Sequence, residues 1–343
     1  STLFPYTTLF RSETLKTVRE SRSLTQKELA VRAGLSQQQG LISKIESGKM
    51  VPSSEQLDAI AFALGYPSLF FTEVSVPASG LAFHRKKTAL SAKLRTQLEA
   101  EAKLKKAILS KVLQYDCQPN LLSSDEIKEK SPQEIAIMLR RKWKLNPGRI
   151  DNLVKVVESQ GILVLKYDFG TPLLDGFFMP GAPCCLFLNS KVPNDRLRFS
   201  IAHELGHLIL QHTIPGKGAE TEANSFAAEF LLPQADIAED LKNRLSMERL
   251  AELKKKWYAS MASLLYRAQT LELIVPSYAR RLWTELSSLG FKLQEPALDI
   301  PEEHPTVIRK ILQLAYGNAP KIEEIASKYH LNEGDLRNCF NSI

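Results

Sequence analysis

The residues best suited to chemistry are His203, Glu204 and His207, which stand in the order H-E-x-x-H. Side chains four apart share a helix face, so both imidazoles can present a nitrogen to one cation. Glu204 falls one position round, beside such a cation rather than on it. There a carboxylate can take the proton of an attacking water. Glu220 is the best-placed third ligand, and Asn224, one turn further along the same face, can hydrogen-bond a ligand from behind. Glu222 and Glu229 share that face less well. His212 is a rival, but a third histidine of metzincin spacing needs a glycine three residues after His207, and Leu210 stands there. Two histidines, one carboxylate and an open fourth position make the donor set of a zinc hydrolase, one Zn2+ per chain. The alternative is a pair of polar helix histidines with no ligand. Against it, half of the six histidines fall between positions 203 and 212, in an apolar stretch where unpaired imidazoles would be costly.

Two neighbouring helices must position these groups. In RLRFSIAHELGHLILQH, Asp195 is the expected cap of a helix running to about His212. Leu197, Ile201, Leu205, Leu208 and Ile209 mark its buried side. AETEANSFAAEFLLP reads as the second helix, with Ala223, Ala227 and Phe230 inward and Pro233 past its end. Upstream, Pro132 sits well at the first position of a helix. The helix RIDNLVKVVESQ then leads through Gly161 into the strand ILVLKY, and a second strand, CCLFLN, follows the turn-rich MPGAP. Helix, strand, strand and long helix in sequence predict an α+β unit. From about residue 241 the chain is helical again, and its tail, PKIEEIASKYHLNEGDLRNCF, reads as a helical hairpin rather than a degenerate helix-turn-helix.

The first 70 residues carry a different pattern, helical periodicity broken by short turns. Thr25 and Glu28 form a capping box, Leu29, Ala30 and Ala33 face inward, and Gly34 ends that helix. Ser36 is the expected cap of the next helix, with Leu41, Ile42 and Ile45 inward. That leaves Gln37, Gln38, Gln39, Ser43 and Lys44 outward, and Gln26 opens the helix before. Amide side chains at the start of a recognition helix can bond base edges, and Gln pairs well with adenine. TQKELA, GLS and ISKIESG resemble the XRE, or lambda-repressor-like, helix-turn-helix family. Five residues, Gln37 to Leu41, separate the Ser of GLS from Ile42, where the family usually has three. The resemblance implies double-stranded DNA as a partner, and such repressors usually bind as homodimers on two half-sites.

The segments AHELGHLIL and E-x-E-A-N-x-F-A-x-x-F-L-L-P are similar to the ImmA/IrrE metallopeptidases, and the likeness extends upstream to DRLRFS and the GILVL strand. It implies a gluzincin-like, zincin-type fold, a cytoplasmic protein and cleavage of a repressor-type protein substrate. By motif, His203, His207 and Glu220 would hold zinc and Glu204 would be the general base. The strand Cys184–Leu188 would offer its edge to an extended substrate. Tyr167, Tyr258 and Tyr266 are candidate oxyanion donors by residue type alone. Two readings follow: an active endopeptidase held at DNA, or a transcription regulator whose metallopeptidase-like domain senses without turnover.

The totals bound these readings. With 343 residues, 44% hydrophobic and 24% charged, the chain has the composition of a soluble protein of two or three domains. No apolar run reaches the roughly 18 to 20 residues of a spanning helix, so no membrane partner is expected. Cys117, Cys184, Cys185 and Cys339 show no C-x-x-C spacing and no disulfide framework. Cys184 and Cys185 read as buried strand residues rather than redox or metal groups. The net charge of +7 is concentrated: residues 81–111 hold nine Lys/Arg against two Glu, whereas 13–72 hold seven against six acids. A phosphate backbone and a solvated linker helix both suit that basic segment. The opening STLFPYTTLFRS has no signal-peptide pattern. It looks like the translation of a sequencing-adapter oligonucleotide, an artefactual leader over 1–12. The expected organisation is then a helix-turn-helix domain over 13–72 and a basic helical linker over 73–130. A metallopeptidase domain over 131–240 and a helical region over 241–343 complete it.

Overall fold

The computed structural model describes residues 10–38, 40–76, 90–212, 216–242, 244–291, 294–296 and 300–340. It opens with α1 (Ser12–Ser21), α2 (Gln26–Arg32), α3 (Leu41–Glu46), α4 (Ser54–Leu64) and the short α5 (Phe70–Glu73). Helix α2 begins on the Thr25–Glu28 capping box, and Ser53 with Gln56 starts α4 in the same way. Leu15, Val18, Leu29, Ile45 and Ile60 close the interior of this unit. Arg19 of α1 grips Glu46 of α3 through two bonds of 2.5 and 3.0 Å, a fork geometry that fixes the two helices. The backbone N–H of Arg11 donates to the carbonyl of Phe71 at 2.9 Å. Residues 10–12 therefore join this unit, and its first helix starts at Ser12 rather than Glu13.

Of the basic segment, the described part from residue 90 on forms a helix that is partly buried rather than a solvated linker. Helix α6 (Ala92–Leu113) buries Leu98, Ala102, Leu104, Ile108, Leu109 and Val112 and packs along α1. Three of its lysines meet internal partners: Lys103 pairs with Glu99 at 3.2 Å, Lys106 donates to the Pro180 carbonyl at 2.5 Å, and Lys111 pairs with Glu73 at 2.6 Å. The remainder of the segment, 81–89, lies outside the described residues.

Helices α7 (Ser124–Ile127), α8 (Pro132–Lys142) and α9 (Leu153–Ser159) lead into β1 (Leu163–Tyr167), β2 (Gly176–Met179) and β3 (Cys185–Asn189). The sheet runs β1-β3-β2, with β3 parallel to β1 and antiparallel to β2. β2 was not expected from the sequence. Its four residues sit in the turn-rich LLDGFFMPGAP, too short for alternation to show. Because β3 is central, both its backbone edges are already bonded. It cannot offer an edge to a substrate, and β1 and β2 are the edge strands instead.

Strand alternation sends neighbouring side chains into different cores. Leu163, Leu165, Phe177, Cys185 and Phe187 face one core, shared with α1–α6. Val164, Phe178, Cys184, Leu186 and Leu188 face the other, built with α8, α9 and the helices that follow. The cysteines are thus core residues, as expected, and burial pushes the Cys184 thiol up to about 12.

Those later helices are α10 (Asn194–Ile209), α11 (Lys217–Leu231), α12 (Gln234–Lys242), α13 (Met247–Trp257), α14 (Met261–Thr270) and α15 (Pro276–Ser288). α16 (Val307–Tyr316), α17 (Ile322–Tyr329) and α18 (Glu333–Phe340) end the chain. α17 and α18 form the expected hairpin and pack on α6. Asp335 of this hairpin pairs with Arg22 at 2.8 Å, and Asn332 donates to the Gly65 carbonyl at 2.6 Å, both in the first helical unit. Among the described residues no helix is long and apolar enough to cross a membrane.

Candidate metal centre

Helix α10 begins at Asn194, with Pro193 rather than Asp195 at its cap position. Asp195 is instead drawn into a buried ion pair with Lys254. Two further contacts lock the helix against the sheet. Arg196 and Ser200 both donate to Asp175, just before β2, at 2.8 and 2.7 Å. Ser200 lies one turn ahead of His203, so the ligand-bearing turn is held by its neighbour.

Helix α11 crosses α10 at close range because residue 206 is glycine. A Cβ on Gly206 would stand 3.0 Å from the Phe226 ring and 3.2 Å from the Ala223 Cα. That crossing sets Glu220 and Asn224 opposite the two histidines. Gly206→Ala is expected to cost about 1–3 kcal/mol of stability by overpacking and to weaken zinc binding as α11 is pushed away. A thermal melt and a zinc titration check both. A variant matching wild type in each would show that the crossing tolerates the methyl group.

The structure brings His203, His207 and Glu220 together, with a donor atom from each inside a 4.8 Å sphere of mutual distances. The two Nε2 atoms face each other at 3.0 Å. Each lies 3.6 Å from a carboxylate oxygen of Glu220. Behind them, His203 Nδ1 meets Asn224 Oδ1 at 2.9 Å. His207 is buried, and Glu204, the next residue after His203, is partly exposed.

The rival carboxylates are committed elsewhere. Glu229 is buried against Arg267 and accepts from the Gln234 N–H at 3.0 Å. Glu222 pairs with His212 at 2.8 Å. His212 in turn lies 2.9 Å from His207 Nδ1, so it stands behind a ligand candidate rather than beside it. Sequence reasoning weighed His212 only as a ligand and missed this arrangement, because the spacing of five places the two rings apart on any continuous helix. α10 ends at Ile209, and Gln211 takes a left-handed φ of 53°. The His212 N–H then bonds back to the His207 carbonyl at 3.1 Å, the six-to-one closure of a Schellman turn.

The three tyrosines differ. Tyr167 faces the other core, with the Lys105 ammonium 4.7 Å from its ring centre. Tyr258 lies beneath Arg149 at 4.1 Å. Tyr266 packs on Phe199 of α10. Burial raises its phenol above the usual range.

In the first unit, Ser43 and Lys44 are exposed on α3. Gln37 and Gln38 are exposed in the turn before that helix rather than on it, since Gly40, not Ser36, occupies the cap position. The two extra residues are absorbed there. Gln26 donates to Glu46 at 2.7 Å and Gln38 accepts from Gln56 at 2.8 Å. Gln39 lies outside the described residues.

Comparisons with known proteins agree with this layout. Residues 15–71 match the family described as Helix-turn-helix, and residues 157–269 match the IrrE N-terminal-like domain of the Peptidase_M78 family. No curated protein matches the chain. The crystal structure of Bacillus thuringiensis PlcR in complex with the peptide PapR7 and DNA aligns over 96% of this chain and 91% of that one. Its identity is 15% and its TM-score 0.17, a likeness too slight to bear on the fold. The chain thus carries two matched regions in series, an XRE-type helix-turn-helix domain over residues 15–71 followed by an IrrE N-terminal-like domain over residues 157–269.

Proposed function

We propose that this chain is a DNA-binding regulator whose second domain is a zinc metalloendopeptidase, cutting a repressor-type protein. One observation carries the reading. Two imidazole Nε2 atoms and a carboxylate converge between α10 and α11, with Glu204 on the same helix. The donor set fits Zn2+, which takes nitrogen and oxygen ligands and accepts two histidines with one glutamate. His203, His207 and Glu220 would hold it, one ion per chain. When bound, it supplies Lewis acidity toward a peptide carbonyl and an attacking water.

The protein's own groups do the rest. Asn224 Oδ1 fixes the His203 ring and keeps its proton on Nδ1, leaving Nε2 as the donor. The Glu204 carboxylate takes the proton of the attacking water and passes it to the leaving amide nitrogen. β2, the one of the two edge strands against which α10 packs, suits an extended substrate segment added by backbone bonds. Mass spectrometry of new N-termini in cells expressing the chain, set against Glu204→Gln, tests the reading. Indistinguishable peptide sets would end it.

For the first domain, double-stranded DNA is the proposed partner, read as a dimer on two half-sites in the cytoplasm. Gln37, Ser43 and Lys44 support this by their exposure around α3. Gln26 and Gln38 would have to exchange an internal bond for a base or phosphate. Replacing Gln37, Gln38 and Lys44 together by Ala is expected to weaken a promoter gel shift about 10–100-fold at fixed salt. A retained shift would remove these residues from the interface.

A second reading, a sensor without turnover, draws on one feature. The sheet is a common wall between the core of the DNA-binding unit and that of the metal-site unit. Strain at one face would be felt at the other.

A further inference from the structure

We infer that His212 and Glu222 are positioning residues, an outer relay that holds His207 in its ligand tautomer and orientation. The inference rests on the metal reading above and goes beyond its ligand set. His207 Nε2 faces His203 Nε2 at 3.0 Å, so the opposite nitrogen, Nδ1, points away from the shared donor cluster. That Nδ1 lies 2.9 Å from His212 Nδ1, and His212 Nε2 lies 2.8 Å from Glu222 Oε2.

A neutral imidazole that gives Nε2 to a cation carries its proton on Nδ1, where it must donate. His212 Nδ1 must then accept, which places the His212 proton on Nε2, where it donates to the Glu222 carboxylate. One assignment of protons satisfies the whole chain of contacts. A carboxylate at the far end makes His212 a better acceptor, and so makes His207 a more basic ligand.

The two ligand histidines are thus held unequally. His203 leans on a neutral amide, Asn224, whereas His207 leans on an imidazole that ends at an anion. The backbone is shaped for this purpose at some cost. Gln211 sits at φ 53°, a conformation that favours glycine, and it brings His212 back beneath the last turn of α10. The Gln211 amide also donates to Ser124 Oγ at 2.8 Å, which anchors that turn to α7.

The test is a competitive zinc titration of the full chain against a chelator of known affinity, with cobalt(II) absorption as a second readout. His212→Leu is expected to weaken zinc about 10–100-fold and to shift the cobalt d–d bands. His212→Asn, whose amide oxygen can replace Nδ1 as acceptor, is expected to recover part of that loss. Glu222→Gln, on a half-exposed side chain, is expected to weaken zinc in the same direction by less, and to add nothing once His212 is Leu. If His212→Leu does not fold, His212→Asn and Glu222→Gln carry the comparison. Zinc affinity within twofold of wild type in the single variants, or strictly additive losses, overturns the relay while leaving the metal reading intact. A wild-type chain that takes up no zinc ends both.

Discussion

Glu204→Gln is expected to keep about one zinc per chain and to slow peptide-bond cleavage by about 10²–10⁴-fold, the range a positioned general base supplies. The amide has nearly the shape of the carboxylate but cannot take a proton from water. Glu204 is not among the converging donors, which are His203, His207 and Glu220. Metal content and catalysis should therefore separate cleanly in this variant, by elemental analysis on one side and by new N-termini on the other. Loss of zinc in Glu204→Gln would mean that Glu204 holds the ion. Equal cleavage by both proteins would leave the sensor reading in its place.

The second large effect concerns stability and lies far from the donors in sequence. Glu303 and Arg198 form an ion pair in which both side chains are only 3% exposed. Glu303 also accepts from the Val154 N–H at 2.8 Å, at the start of α9, and Arg198 also donates to the Ile150 carbonyl. Glu303→Ala leaves a guanidinium buried with no carboxylate and the Val154 N–H without its acceptor, although Asn152 still caps α9. It is expected to cost about 3–5 kcal/mol, seen as a lower midpoint in thermal or urea unfolding. Because Arg198 is on α10, zinc affinity should fall with it. Replacing both partners by Arg198→Met and Glu303→Leu is expected to restore much of the loss, since the desolvated charge is gone as well. A Glu303→Ala protein that unfolds at the wild-type midpoint would mean that water reaches Arg198 and the pair is not buried in solution.

Both results turn on tertiary partners of local motifs, and that division runs through the chain. H-E-x-x-H is legible from spacing alone, because a helical repeat puts residues four apart on one face. The Thr25–Glu28 box is legible for a similar reason, since a cap involves residues only three apart. Glu220 and Asn224 were readable as one face of a second helix. The crossing that sets that face on His203 depends on Gly206 admitting α11 to within van der Waals contact.

What escaped the sequence was set by contacts between distant segments or by turns without glycine. β2 is four residues long and becomes a strand by pairing with β3. By charge alone the basic segment suits a solvated linker or a phosphate partner, yet three lysines of α6 find Glu99, Pro180 and Glu73, and its apolar side completes a core. His212 lies at a spacing no helix could use, until a left-handed Gln211 reverses the chain. Periodicity and capping are short-range and survive in one dimension. Which strand is central, which charge is buried and which ring backs another are decided by packing, where the cost of an unpaired buried group selects among chain paths the sequence leaves open.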